Sequence, residues 1–193
     1  HEWGPDFAAW CSYKYLNAGP GAIAGAFVHE RHLAPGNIDR LQGWWGNDEA
    51  TRFQMRDEFD PAPGADAFQL CCPPVLSFAP VLGSLQIFAE AGLSRLVDKS
   101  RRLTGYLEWL IERRFGDRIG IITPRHARGC QLSLVIRDPD LDARRMFRTL
   151  TELNVIGDWR EPNVIRLAPA PLYNSYSDAL ECAGRLQQAL DSA

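Results

Sequence analysis

The strongest constraint on the fold is an apolar stripe that runs through residues 93 to 115. Its apolar side chains recur every three or four residues, which predicts one long amphipathic helix packed on a core. A shorter helix is predicted before it, from about Pro80 to Ala91. The residues of the stripe are Leu93, Leu96, Val97, Leu103, Leu107, Leu110 and Ile111.

The second half of the chain alternates predicted strands and helices. The strands are "IGIITP", "GCQLSLVI" and "NVIRLAPAPL", and "LDARRMFRTLTELN" is predicted to be a helix. The last helix is predicted from about Asp178 to Leu190, with Ser177 as its N-cap. This order is typical of an α+β domain, so we divide the chain into residues 1–92 and 93–193.

The first part is rich in turns and aromatic residues. "GAIAGAFVHE" is predicted to be a buried strand, and "NAGPG" before it a turn. Residues 35–74 are predicted to be loops, which in compact domains are usually binding surfaces. Trp44 and Trp45 lie in these loops, and we expect them to be covered because exposed paired tryptophans are costly.

Composition describes an ordinary soluble protein of 193 residues, with 46% hydrophobic and 23% charged residues. The net charge of −3 provides no basic field for nucleic acid or an anionic membrane. Five cysteines without a C-x-x-C pair argue against a disulfide framework and predict a reducing cytoplasm. No metal site is predicted, because Leu33 stands where an H-E-x-x-H pattern starting at His29 needs its second histidine.

Lys14 is the first candidate for chemistry. Only two of the 21 basic residues are lysines, and the other one, Lys99, lies in a charged helical stretch. Lys14 instead stands between Tyr13 and Tyr15 in "CSYKYLNAGPG". A desolvated lysine can lose its proton and act as a nucleophile, which arginine cannot do. We therefore expect Lys14 in a dry aromatic pocket, with a plain surface lysine as the alternative.

Arg166 is the second candidate. It falls between Ile165 and Leu167 in a predicted strand, so alternation places it on the opposite face from these two residues. A fixed guanidinium on an apolar strand can bind a carboxylate through two parallel hydrogen bonds. An edge-strand arginine without a ligand is the alternative.

Several segments resemble kynureninase, a pyridoxal-phosphate enzyme of the aspartate-aminotransferase-like fold type I. The most specific are Ser-Tyr-Lys-Tyr-Leu-Asn and Arg-x-x-Pro-x-Pro-Leu-Tyr-Asn-Ser, and the others are "GWWGN", "TRFQM", "TGYLEWLI", "IITP" and "RGCQLSL". The resemblance implies the C-terminal part of this α/β fold. Residues 1–92 would end the large cofactor-binding domain, with the cofactor lysine and interface loops. Residues 93–193 would form a linking helix and a small α+β domain.

The resemblance also implies residue roles in cofactor binding. Lys14 would bond covalently to pyridoxal 5'-phosphate and then move the proton of the substrate α-carbon. Tyr13 would bind the cofactor phosphate and exchange protons near the substrate carbonyl. Trp44 would donate a hydrogen bond to the phosphate across a dimer interface, and Cys72 would also contact the cofactor.

Substrate contacts are implied for Arg166, Asn47, Cys71 and Cys72. Arg166 would hold the substrate α-carboxylate. Animal members carry Ser-Asn where this chain has Cys71 and Cys72, and they often carry histidine at the position of Asn47. We therefore expect a weaker preference for the 3-hydroxylated substrate than an amide at position 72 would give, because cysteine is a weak hydrogen-bonding group.

The implied reaction is hydrolysis of the Cβ–Cγ bond of L-kynurenine, with 3-hydroxykynurenine as a second candidate substrate. The products would be anthranilate and L-alanine, in tryptophan catabolism and NAD biosynthesis. The implied assembly is a cytoplasmic homodimer with a site shared across its interface. Two alternatives remain: another fold type I enzyme (a class V aminotransferase or a cysteine desulfurase), or a non-catalytic dimerisation module.

In this family the aspartate paired with the pyridine nitrogen, its nearby histidine, the ring-stacking aromatic and most phosphate ligands precede the lysine. Nothing precedes His1 in this sequence. We therefore expect a C-terminal portion of a kynureninase that needs the missing N-terminal segment for activity.

Overall fold

The computed structural model describes residues 2–34 and 38–193. It divides the chain into two compact units, His1–Phe88 and Ala89–Ala193, whereas the sequence analysis placed the boundary after residue 92.

No single helix within the described ranges is long and apolar enough to cross a membrane. Two successive helices, Val75–Ala91 and Leu93–Phe115, meet that requirement only when they are taken together.

The first unit contains a two-stranded antiparallel sheet. Strand β1 (Phe7–Trp10) pairs with β2 (Gly25–Val28), and Trp10 lies opposite Gly25. A Cβ on Gly25 would approach the Trp10 indole to 2.4 Å, so only glycine fits beneath this ring. The prediction of a buried strand here is wrong: no residue of β2 is buried. A sheet of two strands leaves their faces open to water.

Three short 3-10 helices follow, at Glu30–His32, Trp44–Gly46 and Gly64–Phe68. Helix α1 then runs from Val75 to Ala91 and contains Pro80, so it begins five residues before the predicted start. Only Ser84 is buried among the residues of α1. Six of its large apolar side chains are exposed: Val75, Leu76, Phe78, Leu82, Leu85 and Ile87.

The second unit contains three helices and a four-stranded antiparallel sheet. Helix α2 spans Leu93–Phe115, as predicted. The strands are β3 (Ile119–Ile121), β4 (Leu132–Ile136), β5 (Asp158–Arg160) and β6 (Val164–Leu167), in the order β3-β4-β6-β5. The other helices are α3 (Ala143–Glu152) and α4 (Tyr176–Asp191). The sequence analysis missed β5, because its three residues include two charged ones and form no apolar pattern.

One face of this sheet forms the core with the three helices. Leu132, Leu134 and Ile165 are fully buried there with Leu103 and Leu107 of α2. Each such side chain contributes about 2 kcal/mol by its removal from water. Leu93 and Val97 of the predicted stripe are exposed, whereas Leu96 and the members from Leu103 onward are buried.

Helix α4 begins with a capping box. The Ser175 hydroxyl accepts a hydrogen bond from the Asp178 backbone N–H, and the Asp178 carboxylate accepts one from the Ser175 N–H. The predicted cap at Ser177 is therefore wrong by two residues. The hydrogen bonds from Ser175 hold the pKa of Asp178 below its ordinary value.

Candidate active site

Lys14 lies in a tight turn whose backbone is fixed by its own hydrogen bonds. The Asn17 N–H donates to the Lys14 carbonyl at 2.9 Å, and the Ala18 N–H donates to the Ser12 carbonyl at 3.1 Å. Asn17 has a φ of +55°, a left-handed conformation that asparagine tolerates better than most residues. The turn therefore presents Lys14 in a defined place.

Hydrogen bonds connect this turn and the segment after it to helix α1. The Ser12 side chain is buried and donates to the Ile23 carbonyl at 2.6 Å, while the Ile23 N–H donates to the Ser77 carbonyl at 3.1 Å. The Ser84 hydroxyl of α1 donates to the Leu16 carbonyl. Two hydrogen bonds thus tie the segment around the lysine turn to α1, and the Ser12 hydroxyl links the turn to Ile23.

The amine of Lys14 lies on the surface of the described chain. Its Nζ is 5.5 Å from the centre of the Tyr13 ring, and it makes no hydrogen bond or ion pair with the other described residues. Tyr13 and Tyr15 are themselves 51% and 60% exposed, so they do not exclude water. The expected dry pocket is therefore wrong for this chain by itself: the position matches the alternative, a surface lysine, whose amine is accessible for a covalent bond.

The tryptophan loop, residues 43–47, packs directly on the segment that precedes Cys71. A Cβ on Gly43 would come within 2.2 Å of the Leu70 Cα, and a Cβ on Gly46 would come within 2.8 Å of the Ala67 carbonyl oxygen. Both glycines are required because backbone lies against backbone. The contact brings the start of the cysteine pair beside Trp44.

Trp44 is held edge-on by its neighbours yet stays 45% exposed. Its ring centre is 5.0 Å from that of Trp45 and 5.8 Å from that of Phe53. The Arg52 guanidinium stacks 4.2 Å above Trp45. Trp45 is half-buried as expected, but Trp44 is not covered, and its indole N–H has no hydrogen-bond acceptor within the described ranges.

Asn47 braces the tryptophan loop with both ends of its amide. Its Nδ2 donates to the Trp44 carbonyl at 3.1 Å, and its Oδ1 accepts from the Asp60 N–H at 2.9 Å. Arg52 donates to the Asn47 carbonyl at 3.1 Å. The substrate contact of Asn47 stays a prediction. The structure gives Asn47 a second role that the sequence did not reveal, which is to position Trp44.

Cys71 and Cys72 are both exposed, and their Sγ atoms are 3.9 Å apart. This sulfur–sulfur hydrogen bond raises the pKa of the Cys72 thiol above its ordinary value, and repulsion by the Cys71 charge and burial raise it further. The two thiols therefore form one chemical unit beside the tryptophan loop.

Arg166 lies in the second unit, on the sheet face opposite the helices. The register places Ser133 of β4 and Asp158 of β5 on either side of it. Its Nη2 donates to Asp158, while its Nε is buried without a hydrogen-bond partner in the described part of the chain. The predicted alternation of β6 is confirmed, since Ile165 and Leu167 are buried and Arg166 is half-buried.

Comparison with known proteins finds a family model that matches most of the second unit. Residues 96–186 match the family model "Kynureninase C-terminal domain". The chain is 51% identical over 189 residues to the kynureninase of Xanthomonas oryzae pv. oryzae, which covers 97% of this chain and 44% of that protein. It is 53% identical over 180 residues to the kynureninase of Stenotrophomonas maltophilia, covering 92% and 42%. The chain thus spans less than half the length of these relatives.

Solved structures show the same fold at low identity. The cystine C-S lyase C-DES, in complex with its product cysteine persulfide, has a TM-score of 0.76 at 18% identity, covering 96% of this chain and 47% of that one. A cysteine desulfurase from Escherichia coli has a TM-score of 0.74 at 17% identity, covering 99% and 47%. The predicted fold, the C-terminal part of a fold type I enzyme, and the resemblance to the C-terminal portion of kynureninase are both confirmed.

Proposed function

We propose that this chain, which carries a kynureninase C-terminal domain, is the C-terminal portion of an enzyme that hydrolyses L-kynurenine to anthranilate and L-alanine. The observation that carries the proposal is the accessible amine of Lys14, which has no ion-pair partner among the described residues and lies beside the Tyr13 ring. The similarity to kynureninases over 97% of the chain supports the same reaction.

The residues present fit the attachment of pyridoxal phosphate. Lys14 offers an amine for the covalent bond. Tyr13 and the indole N–H of Trp44, which has no acceptor among the described residues, are donors for the phosphate. When bound, the cofactor supplies the electron sink for the carbanion formed at the substrate. The remaining contacts are assigned to the part of the enzyme that lies outside this chain.

Proton transfer falls to two neighbouring side chains. The Lys14 amine accepts the proton of the substrate α-carbon. The Tyr13 phenol exchanges a proton with the oxygen of the water that adds to the γ-carbon of the substrate. It then protonates the β-carbon of the alanine product. A phenol suits both steps because it can donate a proton and accept one.

Arg166 binds the α-carboxylate of the substrate. Its buried Nε has no hydrogen-bond partner among the described residues, and an unsatisfied buried donor costs about 1–3 kcal/mol. A substrate carboxylate brings two acceptor oxygens and satisfies the remaining N–H groups of the guanidinium. The unpaired Nε therefore supports the assignment of Arg166 to the substrate carboxylate.

The exposed apolar side chains of α1 support a partner for the first unit. We assign this role to the N-terminal part of the enzyme, because the relatives are more than twice as long as this chain. A homodimer with Trp44 donated across the interface, in the cytoplasm, completes the proposal.

A cysteine desulfurase is the second candidate, because the exposed Cys71–Cys72 pair offers thiols that such an enzyme requires. The identity of 51% to kynureninases, against 17% to a desulfurase, favours kynureninase. Release of sulfide from L-cysteine distinguishes the two.

The experiment joins this chain to the complementary N-terminal part of a related kynureninase, adds pyridoxal phosphate and L-kynurenine, and measures anthranilate fluorescence. We expect anthranilate from the joined enzyme, and none from its Lys14→Ala variant. The matched control is Lys99→Ala, the substitution of the other lysine, which retains activity. A joined enzyme that folds and binds the cofactor but forms no anthranilate contradicts the proposal.

A further inference from the structure

The cysteine pair has a geometry that the proposed reaction does not require. Adjacent side chains of an extended segment point to opposite sides, yet the Sγ atoms of Cys71 and Cys72 are 3.9 Å apart. Pro73 follows directly and restricts the backbone of Cys72, because the residue before a proline is confined to extended conformations. The two thiols are therefore held together, and both are open to solvent.

Direct oxidation to a disulfide does not suit this pair. Adjacent Cα atoms lie about 3.8 Å apart across a trans peptide, whereas disulfides need a Cα separation of about 4.4–6.8 Å. An ion placed between the sulfurs relieves this constraint. With sulfur–ion bonds of about 2.3 Å, as in zinc thiolates, a sulfur separation of 3.9 Å corresponds to an S–ion–S angle of roughly 115°. That angle is slightly wider than a pyramidal centre takes, and a small rotation of the two exposed side chains brings the sulfurs to the narrower angle.

The surroundings select the class of ion. Among the described residues, no group of three or more His, Cys, Asp or Glu side chains is placed to hold a metal. Zinc takes three or four protein ligands, so the pair does not suit it. The remaining candidates are soft ions that need only two thiolate ligands from the protein, since thiolates prefer soft partners.

We propose that Cys71 and Cys72 form a two-thiolate site for a soft metalloid ion, of which trivalent arsenic is the representative. In the reaction with an organoarsenic(III) oxide, two S–As bonds form and the arsenic–oxygen bond breaks. The two thiol protons leave with that oxygen as water. Arsenic stays trivalent, so no oxidant or reductant takes part.

Occupation of this site blocks the proposed active site. The residue before the pair, Leu70, packs backbone to backbone on Gly43, next to Trp44. An arsenic bound to both thiols therefore lies beside the tryptophan loop, where substrate is expected. This consequence rests on the proposed function, whereas the two-thiolate site itself does not.

The test uses phenylarsine oxide and native mass spectrometry on the full chain. We expect one phenylarsenic group per chain, stable in excess monothiol and removed by a dithiol, because only a dithiol competes for both bonds. Cys71→Ser and Cys72→Ser each abolish the stable adduct. The matched control Cys11→Ser, a partly buried cysteine elsewhere in the first unit, retains it. Circular dichroism confirms that the variants are folded.

Two results overturn the site: an adduct that monothiol removes, or an adduct that survives in either serine variant. A second arm uses the joined enzyme. There we expect phenylarsine oxide to abolish anthranilate formation, and saturating substrate to slow the loss at least tenfold. If the mass adduct forms but activity is unchanged, the two-thiolate site stands and the placement of substrate beside Cys71 and Cys72 is wrong.

Discussion

Arg166 on β6 donates a hydrogen bond to Asp158, the residue directly opposite it on β5. Asp158 also forms an ion pair with Arg160, at an N···O distance of 3.1 Å, so one carboxylate is shared by two guanidinium groups. Arg166 donates to Asp158 from Nη2, its Nε has no acceptor among the described residues, and strand pairing fixes its position. Asp158 therefore orients the arginine that we assign to the substrate carboxylate.

Asp158→Asn tests this orientation. The pair is partly exposed, so its loss costs at most about 1 kcal/mol. We expect a two- to fivefold rise in the KM for kynurenine of the joined enzyme, with kcat unchanged. Asp140→Asn is the matched control on the exposed surface. A fall in kcat with constant KM would show that Asp158 does not act through substrate binding.

Glu108 tests a buried ion pair that holds the second unit together. Its carboxylate accepts from Arg128 at 2.7 Å and from Arg125 at 3.0 Å, and the side chains of Glu108 and Arg128 are each only 9% exposed. Glu108→Gln leaves a buried guanidinium without its counter-charge, so we expect a loss of about 3–5 kcal/mol in the free energy of unfolding in urea.

Glu112→Gln is the control for this variant, because Glu112 is exposed and forms its ion pair with the exposed Arg125. We expect a loss below about 1 kcal/mol for such a surface pair. Equal losses in the two variants would mean that burial of the Glu108 pair has no energetic effect.

The same pair predicts a pH dependence of stability. Burial raises the pKa of Glu108, but the hydrogen bonds from Arg128 and Arg125 outweigh it and hold the pKa below its ordinary value. The stabilisation is thus complete above the unfolded-state pKa of about 4.3 and is lost as the pH falls through the folded-state value. We expect the stability gap between wild type and Glu108→Gln to shrink as urea titrations move from pH 6 toward acid, and a constant gap would contradict this.

Ser175 tests the helix cap that the sequence analysis misplaced. Ser175→Ala removes an acceptor for the Asp178 N–H, and we expect a loss of about 1 kcal/mol in unfolding free energy. Ser177→Ala at the predicted cap lies inside the first turn and should change it by less than about 0.5 kcal/mol. The reverse order of effects would favour the original prediction.

Cys72→Asn tests substrate preference. An amide supplies a stronger donor and a stronger acceptor than the thiol, so we expect the ratio of kcat/KM for 3-hydroxykynurenine over kynurenine to rise about tenfold, the effect of one hydrogen bond. Cys11→Ser serves as the control. An unchanged ratio would exclude Cys72 from contact with the substrate ring.

The sequence predicted the elements whose apolar patterns are strong, such as α2, and the alternation that places Arg166 opposite Ile165. It did not reveal Asp158, because β5 is a short edge strand defined by its pairing with β6. The prediction of a dry environment for Lys14 was wrong for a related reason. Local sequence identifies the reactive side chain, whereas its cover depends on residues distant in the chain or outside it.

The most direct measurement is reduction of the joined, cofactor-loaded enzyme with borohydride, followed by peptide mass spectrometry. Because the chain has only two lysines, Lys14 and Lys99, the position of the reduced cofactor is unambiguous within it. We expect the label on Lys14 and none on Lys99. A label on Lys99, or on neither lysine of this chain, would contradict it.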